Sequence, residues 1–212
     1  MIAVDGITGA ALAGAVAGAA VALPLGAIGV LLVQEAVAAG WRTAAAGALG
    51  IGLVDMAYSA VAVVAGASVS QALAGHESVV QIVGAALLTA VAVRGLIGVR
   101  RALQNPGLQQ EAVLLGPLPV LARFFTLTAV NPLTAVYFVA LAAGSGAAVR
   151  GVERGGAFVA GVFVASLTWQ LTLVAIGSLA GARLGPRARA ATGLLGYLVV
   201  LGYAVRMAAS AG

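Results

Sequence analysis

Polar positions along this chain are sparse, and they punctuate long apolar runs whose lengths set the predicted elements. The first run is uncharged from Gly6 to Gln34, and the second starts near Thr43 and ends near Ser70 with one interruption at Asp55. The third occupies Ser78 to Val93, with Arg94 placed to snorkel from its end. The fourth begins near Arg123 and reaches Ala148, the fifth covers Gly155 to Ala182, and the sixth covers Ala190 to Val205. A spanning helix needs about 20 mostly apolar residues, whereas a membrane barrel strand would show about 10 residues of alternating polarity. The runs do not alternate. The pattern therefore predicts an all-α integral membrane protein of about six transmembrane helices, over 7–33, 43–69, 78–98, 123–147, 155–181 and 190–208, in a single membrane domain covering 1–212 with a loop over 99–122. The third and sixth runs are the shortest, so a five-helix alternative with one segment flat or re-entrant stays open. The first run carries Asp5 and no basic residue on its amino-terminal flank and is far longer than a signal core, so it is read as a retained helix.

Composition explains where the apolar surplus goes. Hydrophobic residues make up 62% of the chain and charged residues 8%, against roughly a quarter charged in a soluble domain, so the predicted helices face a lipid bilayer. Cysteine is absent, which removes disulfides, thiolate metal sites and cysteine nucleophiles together. The net charge of +5 does not point to nucleic acid, because no basic run exceeds Arg100-Arg101 and no aromatic residues interleave with the arginines. Topology accounts for it better. A six-helix weave puts Arg42, Arg94, Arg100, Arg101, Arg123, Arg183, Arg187 and Arg189 on one side and Arg150, Arg154 and Arg206 on the other. The first group should be cytoplasmic, which places loop 99–122 inside and both termini outside a bacterial-type inner (plasma) membrane.

Against this background the informative residues are those that hydrocarbon would reject. Asp55 is predicted near mid-membrane, where an ionised carboxylate costs about 2.5 to 3.5 kcal/mol, and such residues face a bundle interior or wet cavity on ion and proton pathways. Glu35, beside Gln34 at the end of helix one, reads as a loop carboxylate in reach of water. Pro24 and Gly26 interrupt helix one, and Pro132 interrupts helix four beside Asn131 and is expected to free the Thr128 carbonyl. Broken helices are a transporter device, with unwound carbonyls binding cations and half-helix amino termini facing anionic groups. Leu23-Pro24-Leu25-Gly26-Ala27 and Asn131-Pro132-Leu133-Thr134-Ala135 each open a half of three predicted helices, so the fold is expected to be two inverted three-helix repeats. A candidate substrate or ion site follows where helices one, two, four and five meet, lined by Asp55, Trp169, Gln170 and Thr168. Taken singly, Trp169 and Gln170 are weaker candidates, each better explained by an interfacial aromatic or a helix-to-helix hydrogen bond.

At these residues the sequence resembles the lysine exporter (LysE-type) superfamily of amino-acid efflux proteins, over nearly the whole chain. The resemblance rests on Leu23-Pro24-Leu25-Gly26-Ala27 followed by Gly40-Trp41-Arg42, on Gly50-Ile51-Gly52-Leu53-Val54-Asp55, on Gly84-Ala85-Ala86-Leu87-Leu88 with Arg94, on Phe124 through Asn131-Pro132 to Tyr137-Phe138, and on Gly193-Leu194-Leu195 with Gly202. Many members carry two prolines around the first glycine, and often an asparagine or glutamine shortly after, where this chain has Leu25, Ala27, Ile28 and Gly29. The resemblance implies export of an amino acid or related metabolite, driven by protons and without an organic cofactor. It suggests that Asp55 exchanges a proton or the substrate ammonium while the broken ends near Pro24 and Asn131 hold the carboxylate.

Other classes fit less well. An enzyme needs a nucleophile and base or a metal constellation, yet the single histidine, His76, is predicted in a short loop beside Glu77 with no partner. No cysteines, one histidine and three methionines make a poor soft-metal site, so no metal ligands are assigned, and a hard-cation exporter is the alternative within the superfamily. A non-transporting structural subunit would leave Asp55 unexplained. Gly14-Ala15-Val16-Ala17-Gly18 is a small-xxx-small surface that supports close helix packing and, more weakly, a homodimer.

Overall fold

The computed structural model describes residues 2–22, 27–73, 116–131 and 151–209, together with 134, 137, 138 and scattered positions between 82 and 100. Six helices are described over the continuous stretches: α1 (Ile2–Ala22), α2 (Ala27–Ala39), α3 (Trp41–Leu73), α4 (Pro117–Ala129), α5 (Val152–Arg183) and α6 (Pro186–Ala209). Among the described residues α3, from Trp41 to Val64, and α5 are long and apolar enough to cross a membrane, and the α1–α2 pair adds a third span if taken together.

Helix one, predicted as a single run over 7–33, is two helices inclined to one another by 80°. Pro24 and Gly26 fall between them, outside the described residues. α2 closes on Gly40, whose φ of +79° suits glycine and whose amide bonds the Ala36 carbonyl at 3.1 Å. Its own carbonyl accepts from Ala44 at 3.2 Å, so α3 starts at once and no loop separates the two helices. α3 and α5 match the predicted second and fifth helices, and α6 matches the sixth. Helix three lies largely outside the described residues, although scattered positions between 82 and 100 are helical.

Helix four differs most from expectation. α4 begins at Pro117, inside the predicted loop 99–122, and its regular course ends at Ala129. Proline at the first helical position loses no hydrogen bond and has φ preset for a helix, so Pro117 starts the element the loop reading placed later. Arg123 had marked the water boundary; it sits instead mid-helix, with its charge answered by Glu35.

α5 is the central element. Phe158, Val162, Ser166, Gln170 and Val174 recur every four residues and form one buried stripe. A Cβ at Gly14 would strike the Phe158 carbonyl, one at Gly18 the Val162 carbonyl, and one at Gly161 the Ala11 carbonyl, so α1 lies backbone to backbone on α5. Farther along, Gly177 meets Val33 and Ala36, and Gly181 meets Val37, which seats α2 on the same helix. In the pairs 14/158, 18/162, 33/177 and 37/181 the second number exceeds the first by 144, so α1 and then α2 advance in the same direction along α5. The Gly14–Gly18 surface, read first as a close-packing face, packs on α5 within the chain. The core proper gathers Leu31, Leu32, Ala44, Ala48, Ile51, Val120, Phe124, Val174 and Val200 from α2 to α6. Outward-facing Val16, Val64, Val164, Leu179, Leu195 and Val205 stay exposed, an apolar exterior suited to hydrocarbon.

Candidate solute-binding junction

Two glycines on α3 bring the site together. A Cβ at Gly50 would touch the Leu121 carbonyl on α4, and one at Gly52 the side chains of Phe163 and Leu167 on α5. These close approaches wedge the next turn of α3 between both helices, and Asp55 stands on that turn. It is 3% exposed, and the Ser166 hydroxyl, itself fully buried on α5, donates to its Oδ2 at 2.6 Å. That is the short geometry of a hydrogen bond to a carboxylate. Serines and threonines inside helices usually return their proton to a carbonyl three or four residues back, as Ser59, Thr128, Thr168 and Thr172 do here. Ser166 crosses to another helix instead.

Tyr58, one turn beyond Asp55, donates its hydroxyl to the Ala129 carbonyl at the end of α4. Tyr137 donates to the Ala17 carbonyl on α1 at 2.7 Å. Both rings pack on Phe138, at centroid distances of 5.8 and 5.4 Å, and both phenols lie within electrostatic reach of Asp55. An aromatic layer with two cross-ties therefore closes one side of the carboxylate.

Of the residues expected at the site, Asp55 and Gln170 lie on facing elements of this junction. Gln170 is 6% exposed, one turn beyond Ser166, and its Oε1 has no hydrogen-bond partner among the described residues. Along α5, Gln170 lies between the stretch packed on α1, at Phe158 and Val162, and the stretch packed on α2, at Gly177 and Gly181. Trp169 is half-buried and its Nε1 also lacks a partner. Thr168, expected in the lining, is exposed and bonds the Val164 carbonyl, so it turns away from the junction. Asn131 follows α4 directly, and its amide nitrogen donates to Thr134 Oγ1 at 3.0 Å. The Thr128 carbonyl is not freed there as expected, because the Asn131 backbone N–H occupies it at 3.1 Å. Pro24, Gly26 and Pro132 lie outside the described residues.

Sequence reasoning missed Ser166, Tyr58 and Tyr137. The signal for Ser166 was its place in the four-residue stripe of α5, a hydroxyl between Val162 and Gln170. Tyr58 and Ser59 stand three and four residues from Asp55, on its face of α3. Chemically, one buried carboxylate with a hydroxyl donor and unsatisfied amide atoms close by along α5 suits reversible binding of a proton or a cationic group. Among the described residues no three histidines, cysteines, aspartates or glutamates gather as metal ligands.

The model of the LysE type translocator family matches residues 19–210, nearly the whole chain. No curated protein and no solved structure matches it.

Proposed function

We infer that this chain, which belongs to the LysE type translocator family, exports amino acids or related small metabolites across a cell membrane in exchange for protons. The family makes it a membrane transporter. The observation that carries the finer reading is Asp55, a carboxylate buried in an apolar bundle and held by Ser166 where α3 meets α5 and the end of α4. An ionised group in hydrocarbon persists only where function or pairing maintains it, and a single serine hydroxyl leaves room for a proton or an ammonium as its further partner.

In this reading Asp55 takes either the substrate ammonium or a proton, never both, and that exclusion couples the two fluxes. Gln170 and Trp169 offer amide and indole groups to the solute. The segments carrying Pro24 and Gly26, and Asn131 and Pro132, receive its carboxylate at half-helix ends. The proposed frame is six spanning helices in two inverted three-helix repeats. Its support is that a helix ends just ahead of each proline segment, α1 at Ala22 and α4 at Ala129.

The test is efflux from cells loaded with dipeptides, following which amino acids leave faster than in cells without the chain. Faster release of one chemical group of amino acids supports the reading. Silence across all of them removes the amino-acid reading and favours a cation exporter or a structural subunit.

A further inference from the structure

The aromatic layer closes one side of Asp55; the other side is closed by different chemistry. On that side, toward the Gly40 turn, Glu35 of α2 and Arg123 of α4 form an ion pair at 3.1 Å, with side chains 14% and 29% exposed. The guanidinium also lies over the Phe124 ring, 5.7 Å from its centroid. Phe124 and Leu32, from the same two helices, meet over Gly47 of α3. Ala44 and Ala48 of α3 are fully buried beneath them. Ala48 stands two turns from Asp55, about 10 Å along the helix, so an apolar plug separates the carboxylate from the ion pair.

This Glu35 is not the free loop carboxylate that the sequence suggested. Its partner belongs to the other proposed repeat. α2 and α4 touch only over a small patch, and each is a 13-residue piece, α2 starting after one proline segment and α4 ending before the other. The ion pair is the polar link across that patch. One residue earlier, Gln34 reaches the Thr192 carbonyl of α6 at 3.4 Å, so α2 is tied on two sides at one level.

We propose that the Glu35–Arg123 ion pair is a latch that holds α2 against α4 and shuts one mouth of the solute pathway, opening when the pair separates. The inference rests on the translocator reading and on none of its substrates. An ion pair between two short helices has a closed and a separated arrangement, and removing one charge shifts the balance toward the separated one.

The absence of cysteine in the natural chain makes the test direct. Ala48→Cys is introduced into the full-length protein in lipid vesicles, and its reaction with a water-soluble thiol reagent is timed. With the latch intact, modification should be slow. Glu35→Gln and Arg123→Gln should each accelerate it by about tenfold or more, the order expected when a partly buried ion pair loses one partner. Exchanging the charges, Glu35→Arg with Arg123→Glu, should restore the slow rate. A second probe, Val162→Cys on the α1–α5 seam, guards against general loosening and should stay slow in every background. Equal Ala48→Cys rates in all backgrounds, a charge exchange as fast as the single variants, or Val162→Cys opening in parallel would each overturn the latch. Dipeptide efflux plays no part in this measurement, so a failed export assay and a failed latch are separate results.

Discussion

The contacts of the interrupted first helix are built on two opposite principles, since α1 and α2 both lie on α5 through glycines while α2 meets α4 through side chains. α1 meets α5 through Gly14, Gly18 and Gly161, backbone against backbone, while α2 meets α4 through long side chains, an ion pair and a small apolar patch. Glycine seams in a bilayer gain from many close van der Waals contacts and offer no second arrangement of similar energy. An ion pair between two short helices has an obvious alternative, with each charge turned to water. The glycine contacts therefore fix α1 and α2 on α5 as a frame, and the ion pair is the contact that has a second arrangement.

The largest effect should come from filling the frame. Gly14→Val would drive two methyl groups into the Phe158 carbonyl and its neighbours, where the opposing atoms are main chain and cannot rotate aside. Overpacking of this kind costs about 3 kcal/mol or more. The expected result is little monodisperse protein after detergent extraction, and a wild-type melting curve for this variant would show that the seam is looser than described.

Next in size is the loss of the junction's charge without loss of the frame. Asp55→Asn keeps shape and one acceptor for Ser166 but cannot carry a proton, so solute efflux from loaded cells should fall to the level of cells lacking the chain. Insertion and melting should match wild type, since a neutral amide is cheaper to bury than a carboxylate. Unchanged efflux would remove Asp55 from the coupling and leave the junction as packing.

The sequence made the apolar architecture legible because lipid demands long uncharged helices and charges mark where they end. Asp55 and Gln170 stood out as polar groups in hydrocarbon, and both lie at one junction of α3 and α5. The same rule misled at Arg123, taken as a helix boundary, and at Glu35, taken as wet. Each charge was judged alone, and their pairing across 88 residues of sequence has no local signature. The α1–α5 register was hidden for a similar reason: with 30 glycines in the chain, nothing local distinguishes those that touch another backbone. Thr168 and Gln170 differ by two residues, yet a turn of about 200° between them sends one outward and the other inward.

A smaller effect should appear at the turn between α2 and α3. Gly40 reverses the chain between α2 and α3 at φ +79°, with nothing within 4 Å of an added Cβ. Gly40→Ala therefore meets no clash, and its cost is the left-handed backbone alone, about 1 kcal/mol. A fall of a few degrees in melting temperature with efflux retained is expected. A collapse as deep as that of Gly14→Val would mean that the turn is as tightly packed as the α1–α5 seam.

The smallest effect sets the baseline for the others. Thr172 shares α5 with Ser166 but is exposed and spends its hydroxyl on the Thr168 carbonyl, a bond within one helix that neither crosses to another element nor reaches Asp55. Thr172→Val keeps its shape and removes only that local bond, so stability should stay within about 0.5 kcal/mol of wild type and the efflux rate should be unchanged. The hydroxyl of Ser166, by contrast, joins two helices through a carboxylate, so Ser166→Ala should slow efflux where Thr172→Val does not. If the two variants behaved alike, the bond between Ser166 and Asp55 would be as incidental as the one Thr172 makes with its own helix, and the difference between the faces of α5 would be one of solvent alone.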